Sequence, residues 1–206
     1  MIRRGKNCAY AIFLGFSILC HSTGAFARGE EKALKASPAN TTSAFHWADH
    51  SKLSWDDFKG GINTDEDEVA AATHCGIGFR TTSPATTNDK PGIEVYNLFY
   101  ANKSWVKPDA KMPEILAHEQ GHFDLCEIYT RKLRARLSKF DLPENPQEFT
   151  MQIKSELVAI YNDVSNEYEL RQQAYEQETI HGTDIAAQKK WITLIAQELD
   201  AEEIAP

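Results

Sequence analysis

The sequence predicts an α+β fold, with a small antiparallel sheet in the N-terminal half packed on a helical C-terminal half. Two runs read as strands, Val69 to Thr81 (VAAATHCGIGFRT) and Ile93 to Trp105 (IEVYNLFYANKSW), separated by a Ser/Pro/Thr/Asn/Gly-rich connection. From Pro113 onward the apolar residues recur at helical spacing instead. No internal repeat interrupts the order of strands first and helices after, which is the α+β pattern.

The N-terminus reads as an address. Met1 to Lys6 carries Arg3, Arg4 and Lys6 without an acid, Cys8 to Cys20 is almost unbroken apolar sequence, and Ala25-Phe26-Ala27 is a small-x-small cleavage site. That is the order of a secretory signal peptide, residues 1–27, with cleavage after Ala27. The 13 residues from Cys8 to Cys20 fall short of the roughly 20 that a spanning helix needs. Export to the periplasm or beyond is expected, with no stable membrane insertion after cleavage.

Cleavage changes the arithmetic. The whole chain has 206 residues, 22 Lys+Arg, 30 Asp+Glu and four cysteines. The expected mature chain has 179 residues and, having lost three bases and no acids, a net charge of −11. That sign excludes a surface built to coat nucleic acid. Cys75 and Cys126 remain, in an oxidising compartment, so one disulfide is possible and only one pairing exists.

Residues 28–43 are rich in Ala, Ser, Thr, Lys and Glu without periodicity and read as a flexible linker, leaving 44–206 as the folded domain. His46-Trp47 and Leu53 to Phe58 (LSWDDF) are aromatic clusters bounded by Gly60-Gly61. Pro113 suits a first helical turn, and Ile115, Leu116, Phe123, Cys126, Leu133 and Leu137 carry one helix towards Phe140. Leu142-Pro143 and Pro146 break the chain. A long helix follows from about Gln147 towards Ile180, with Tyr161, Tyr168 and Tyr175 on one stripe. Gly182 stops it, and Asp184 opens a last helix through Trp191 and Leu199.

His118-Glu119-Gln120-Gly121-His122 carries the chemistry. Residues four apart share a helix face, so both imidazoles can reach one metal ion, expected to be a single Zn2+. Glu119 lies about 100° from His118 around the helix, close enough to act on a water beside that metal. Zinc held by two histidines and one further ligand keeps a position open, and Glu119 would serve as general base and then general acid.

At these residues a resemblance becomes usable. The run His118 to Asp124 (HEQGHFD), continuing through Leu125 to Leu133, resembles a bacterial domain-of-unknown-function family described as secreted zinc-dependent peptidases. Leu53 to Phe58, Ser104-Trp105-Val106 and Tyr175 to Gly182 (YEQETIHG) are similar to its other blocks, so the resemblance runs from about Phe45 to Trp191. One departure is Glu176, where the family pattern usually has Asp. The resemblance implies a zincin-like metallopeptidase acting on a peptide or protein substrate.

For the third ligand, His181 is favoured over Glu176, with Asp124 and Glu178 also in view. His181 and Glu176 are five apart, about 140° around a continuous helix, so both cannot face one metal unless the helix unwinds, as Gly182 suggests. Glu176 alternatively orients a ligand histidine. Tyr175 is a candidate oxyanion donor, although its place in the tyrosine stripe favours packing. Asp124 is expected to brace the helix. His46, His50 and His74 have no ligand-like partner at short spacing. The Ile93–Tyr100 strand is a candidate edge on which an extended peptide could pair. Two other functions fit the sequence: a non-catalytic zinc-stabilised cell-envelope module, and a metal-dependent hydrolase of a peptidoglycan amide.

Overall fold

A computed structural model describes residues 43–62, 69–82, 91–143, 148 and 150–203. The segment read as a signal peptide and nearly all of the segment read as a linker lie outside the described residues. The elements run β1 (Ala44–Phe45), β2 (Ala71–Ala72), β3 (Cys75–Thr82), β4 (Gly92–Tyr100), β5 (Trp105–Val106), α1 (Pro113–Leu137), α2 (Met151–Thr179) and α3 (Ile185–Glu203). Strands precede helices, and the fold is α+β as expected.

β4 is the middle strand of a three-stranded antiparallel sheet ordered β1-β4-β3, and β2 pairs with β5 in a separate two-stranded ribbon. Two sequence expectations are corrected here. Each run read as one strand divides between the two sheets. The first breaks at Thr73–His74, where the His74 amide donates to Ser104 Oγ and its carbonyl accepts from Tyr100. The second breaks at the turn Ala101–Ser104, which lets Trp105 pair with Ala72. The Ile93–Tyr100 strand is also an edge only in part: β1 flanks it at Phe99 and Tyr100, whereas along residues 92–98 its only strand partner among the described residues is β3.

α1 is the spine. It packs against β3 and β4 on one side and against α2 and α3 on the other. Phe123, Leu125, Cys126, Ile128, Leu133 and Leu137 are buried along it. Phe99 joins Phe123 and Phe58 in edge-on ring contacts that fasten the sheet to the helix. Because α1 is covered on two sides, its polar residues at the sheet-facing turn must find partners. Asp124 accepts from the Trp47 indole at 2.8 Å and from Gln120 Nε2 at 2.8 Å, and so braces the helix as expected. Gln120 also bonds Ser51 O and the Leu53 amide, both at 2.8 Å, tying the N-terminal segment to the motif.

Punctuation sets the helix ends. Pro113 occupies the first turn of α1, Thr150 caps α2 by accepting from the Ile153 amide, and Asp184 Oδ1 caps α3 by accepting from the amides of Ala186 and Ala187. The tyrosine stripe of α2 faces inward, with Tyr168 and Tyr175 buried. No helix among the described residues is long and apolar enough to cross a membrane.

Candidate metal centre

His118 and His122 lie one turn apart on α1, facing α2. Their Nε2 atoms are 3.2 Å apart, and the Glu176 carboxylate straddles them: Oε2 is 3.3 Å from His118 Nε2, and Oε1 is 3.4 Å from His122 Nε2. These three residues form a group able to hold a metal ion. The spacing is informative, because adjacent ligands on a tetrahedral zinc ion, each about 2.0–2.1 Å from it, stand about 3.3 Å apart.

Glu119 supplies the second sign of fit. It is 4% exposed, and its Oε2 has no hydrogen-bond partner. An unpaired carboxylate oxygen in a buried site is costly unless something absent from the protein itself meets it. Its charge is near enough to help raise the pKa of His122.

The electrostatics couple the histidines to the Glu176 carboxylate. Burial alone would lower the His122 pKa. The hydrogen bond and charge of Glu176, with the charge of Glu119 and the Gln172 acceptor, overcome it and push the value up to about 9. Burial would likewise raise the Glu176 carboxyl, yet the two histidines hold it far below the usual carboxylate range.

His181 stands outside the group. α2 does unwind before Gly182, as expected: Ile180, His181 and Gly182 are all left-handed, with φ of 49°, 54° and 77°. A β-branched residue rarely adopts that conformation. The turn is held by bonds from the His181 amide to Glu176 O and from the Asp184 amide to Thr179 O. It directs His181 Nδ1 to Glu176 Oε2 at 3.0 Å, so His181 meets the carboxylate from the solvent side, 53% exposed. Gly182 is needed here, since a Cβ would lie 2.8 Å from the His118 ring. The other candidates are engaged elsewhere: Glu178 accepts from the Trp191 indole, and Asp124 braces α1.

Tyr175 takes the packing role rather than that of an oxyanion donor. It is fully buried, its ring stacks on His118 at 4.8 Å between centroids, and its hydroxyl donates to His118 O at 3.0 Å. Burial pushes its pKa well above the usual phenol value. Gly121 makes room for it: a Cβ there would fall 2.6 Å from the ring carbon bearing the hydroxyl, and closer to the oxygen. The possible Cys75–Cys126 disulfide pair stands together as two free thiols. The Cys75 thiol hydrogen-bonds instead, with the Cys126 thiol, with Tyr168 Oη at 3.3 Å and with His122 O at 3.7 Å. Burial pushes the Cys126 thiol well up. His50 pairs with Asp57, and His46 bonds Asn97 O, both apart from the centre.

Two residues escaped the sequence reading. Gln172 Oε1 lies 2.6 Å from His122 Nδ1, and Gln188 Oε1 lies 3.1 Å from His118 Nδ1. Glutamine is common on helix surfaces and carries no signal by type. Gln172, however, sits four residues before Glu176, on the same face of α2, which is a usable cue.

Comparison with known proteins locates the centre within one match. A family model described as "Bacterial protein of unknown function (DUF922)" matches residues 100–182. The stretch includes α1, α2, all three group residues and the left-handed turn. It is narrower than the expected Phe45–Trp191, leaving the Leu53–Phe58 block and Gln188 outside. No curated protein and no solved structure matches the chain.

Proposed function

We propose that the chain is an exported zinc-dependent metallopeptidase, with His118, His122 and Glu176 as the metal-binding residues and Glu119 as the catalytic carboxylate. One observation carries the reading: three ligand-type side chains stand at metal-site spacing, and the residue next to His118, Glu119, holds a buried, partnerless carboxylate oxygen. The group has three such residues among the described residues, whereas a purely structural zinc site has four protein ligands.

Zinc bound there supplies Lewis acidity, which makes water a nucleophile at neutral pH. Glu119 accepts one proton from the attacking water as the new C–O bond forms. It then delivers that proton to the amine nitrogen as the C–N bond breaks. Glu176 contributes a ligand charge, and His181 holds its carboxylate from the solvent side. The signal-like N-terminus supports export.

The test is hydrolysis of a peptide library and of purified cell wall by the wild type, by Glu119→Gln and by a chelated sample. Peptide cleavage that needs both the metal and Glu119 is expected. Wild type and Glu119→Gln turning over alike would end the catalytic reading, and turnover of cell wall alone would move the substrate to a peptidoglycan amide.

A further inference from the structure

We propose that Gln172 and Gln188 are positioning residues that fix the tautomers of His122 and His118, so that each ring offers a bare Nε2 to one shared cation. The inference deepens the metal-site reading and rests on it for the identity of that cation.

Donor and acceptor roles are fixed outward from groups that admit no choice. A backbone carbonyl only accepts. Gln172 Nε2 lies 3.0 Å from His122 O and 2.9 Å from Tyr168 Oη, so the amide nitrogen must face them. A flipped amide would set its oxygen against the carbonyl oxygen of His122. Gln172 Oε1 therefore faces His122 Nδ1, and that nitrogen must carry the hydrogen.

Tyr175 fixes the second amide in the same way. Its hydroxyl has one hydrogen, donated to His118 O at 3.0 Å. It must accept from its other neighbour, Gln188 Nε2, at 2.7 Å. Reversing the amide would leave two acceptor oxygens competing for one phenolic hydrogen. Gln188 Oε1 consequently accepts from His118 Nδ1. With both Nδ1 atoms protonated, two Nε2 lone pairs face each other across 3.2 Å beside a carboxylate. Two facing lone pairs beside a carboxylate draw a cation, a proton or a metal ion, in among those atoms.

The two glutamines come from different helices. Gln172 belongs to α2, and Gln188 is a buried residue of α3. The last helix thus has a specific duty at the centre, although it lies outside residues 100–182.

Two-bond 1H–15N correlation spectra of the whole metal-free chain, recorded at a pH where the spectra themselves show both rings neutral, read the tautomers directly. Zinc affinity is measured in parallel by competition with a chromophoric chelator. Wild type should show Nδ1–H at both His118 and His122. Gln188→Met should admit the Nε2–H form at His118 and weaken zinc about 10- to 100-fold, with Gln172→Met doing the same at His122. Gln188→Glu, which keeps an acceptor for His118 Nδ1 while giving up the bond to Tyr175, should restore the Nδ1–H form. An Nε2–H signal at either ring in wild type overturns the proposal even where a Met variant fails to fold. So does an unchanged tautomer and unchanged affinity in folded Met variants. Absence of zinc binding by wild type would count against the metal site alone, because the tautomer spectra do not depend on it.

Discussion

Gly121→Ala should destabilise the protein through a single contact, and Tyr175 should decide the sign. In an open helix this change is favourable by about 1 kcal/mol, because alanine outranks glycine in propensity. Here the new methyl would meet the Tyr175 ring carbon at 2.6 Å and its hydroxyl closer still. Tyr175 is fully buried between His118 and Trp191 and has no free space to enter. Relief requires α1 and α2 to part, at an overpacking cost of about 1–3 kcal/mol. It also weakens the bonds from Tyr175 to His118 O and from Gln188 to Tyr175, each worth about 1 kcal/mol. Net destabilisation should be about 1–3 kcal/mol, a fall in Tm of roughly 3–10 °C for a domain of this size.

In a Tyr175→Leu background the obstructing atoms are gone, and Gly121→Ala should become stabilising by about 0.5–1 kcal/mol. Urea denaturation of the four proteins, at unchanged m-value, measures the cycle. Stabilisation by Gly121→Ala with Tyr175 intact, or a coupling energy near zero, would refute the packing argument.

Other outcomes follow from the same geometry. The metal-free protein should lose stability as pH rises. The folded pKa of His122, about 9, exceeds its unfolded value of about 6.5, so its contribution is complete below the latter and lost through the former. The loss is of order 3 kcal/mol and is read by denaturation at pH 6 and pH 10; a flat profile would contradict it. Zinc binding near pH 8 should release a proton from His122, seen as a buffer-dependent calorimetric enthalpy, whereas equal enthalpies across buffers would deny the pairing with Glu176. Peptide mapping after alkylation in denaturant without reductant should find Cys75 and Cys126 both modified, and a linked Cys75–Cys126 peptide would reverse that assignment. The intact mass of exported protein should correspond to a chain starting at Arg28; a retained N-terminus would remove the signal-peptide reading.

Local chemistry made some features legible in the sequence and hid others. Pro113, Gly182 and Asp184 act within one or two residues of themselves, so the helix ends near them could be read directly. The strand breaks at Thr73–His74 and Ala101–Ser104 could not, because they depend on bonds between segments some 30 residues apart. His118, Glu119 and His122 were visible because helical spacing alone places them together. The choice between Glu176 and His181 turned on three successive left-handed residues, and only Gly182 announces such a conformation. Ile180 and His181 adopt it because the bonds around Thr179 and Glu176 hold them there. Gln188 reaches the centre only through the way α3 folds back on α1.

The central claim is that His118, His122 and Glu176 together hold one metal ion, and elemental analysis after exhaustive dialysis tests it most directly. Wild type should retain one zinc per chain, Glu176→Ala should retain none, and His181→Ala should still retain one. A metal-free wild type, or loss of zinc from His181→Ala with full retention in Glu176→Ala, would contradict the account.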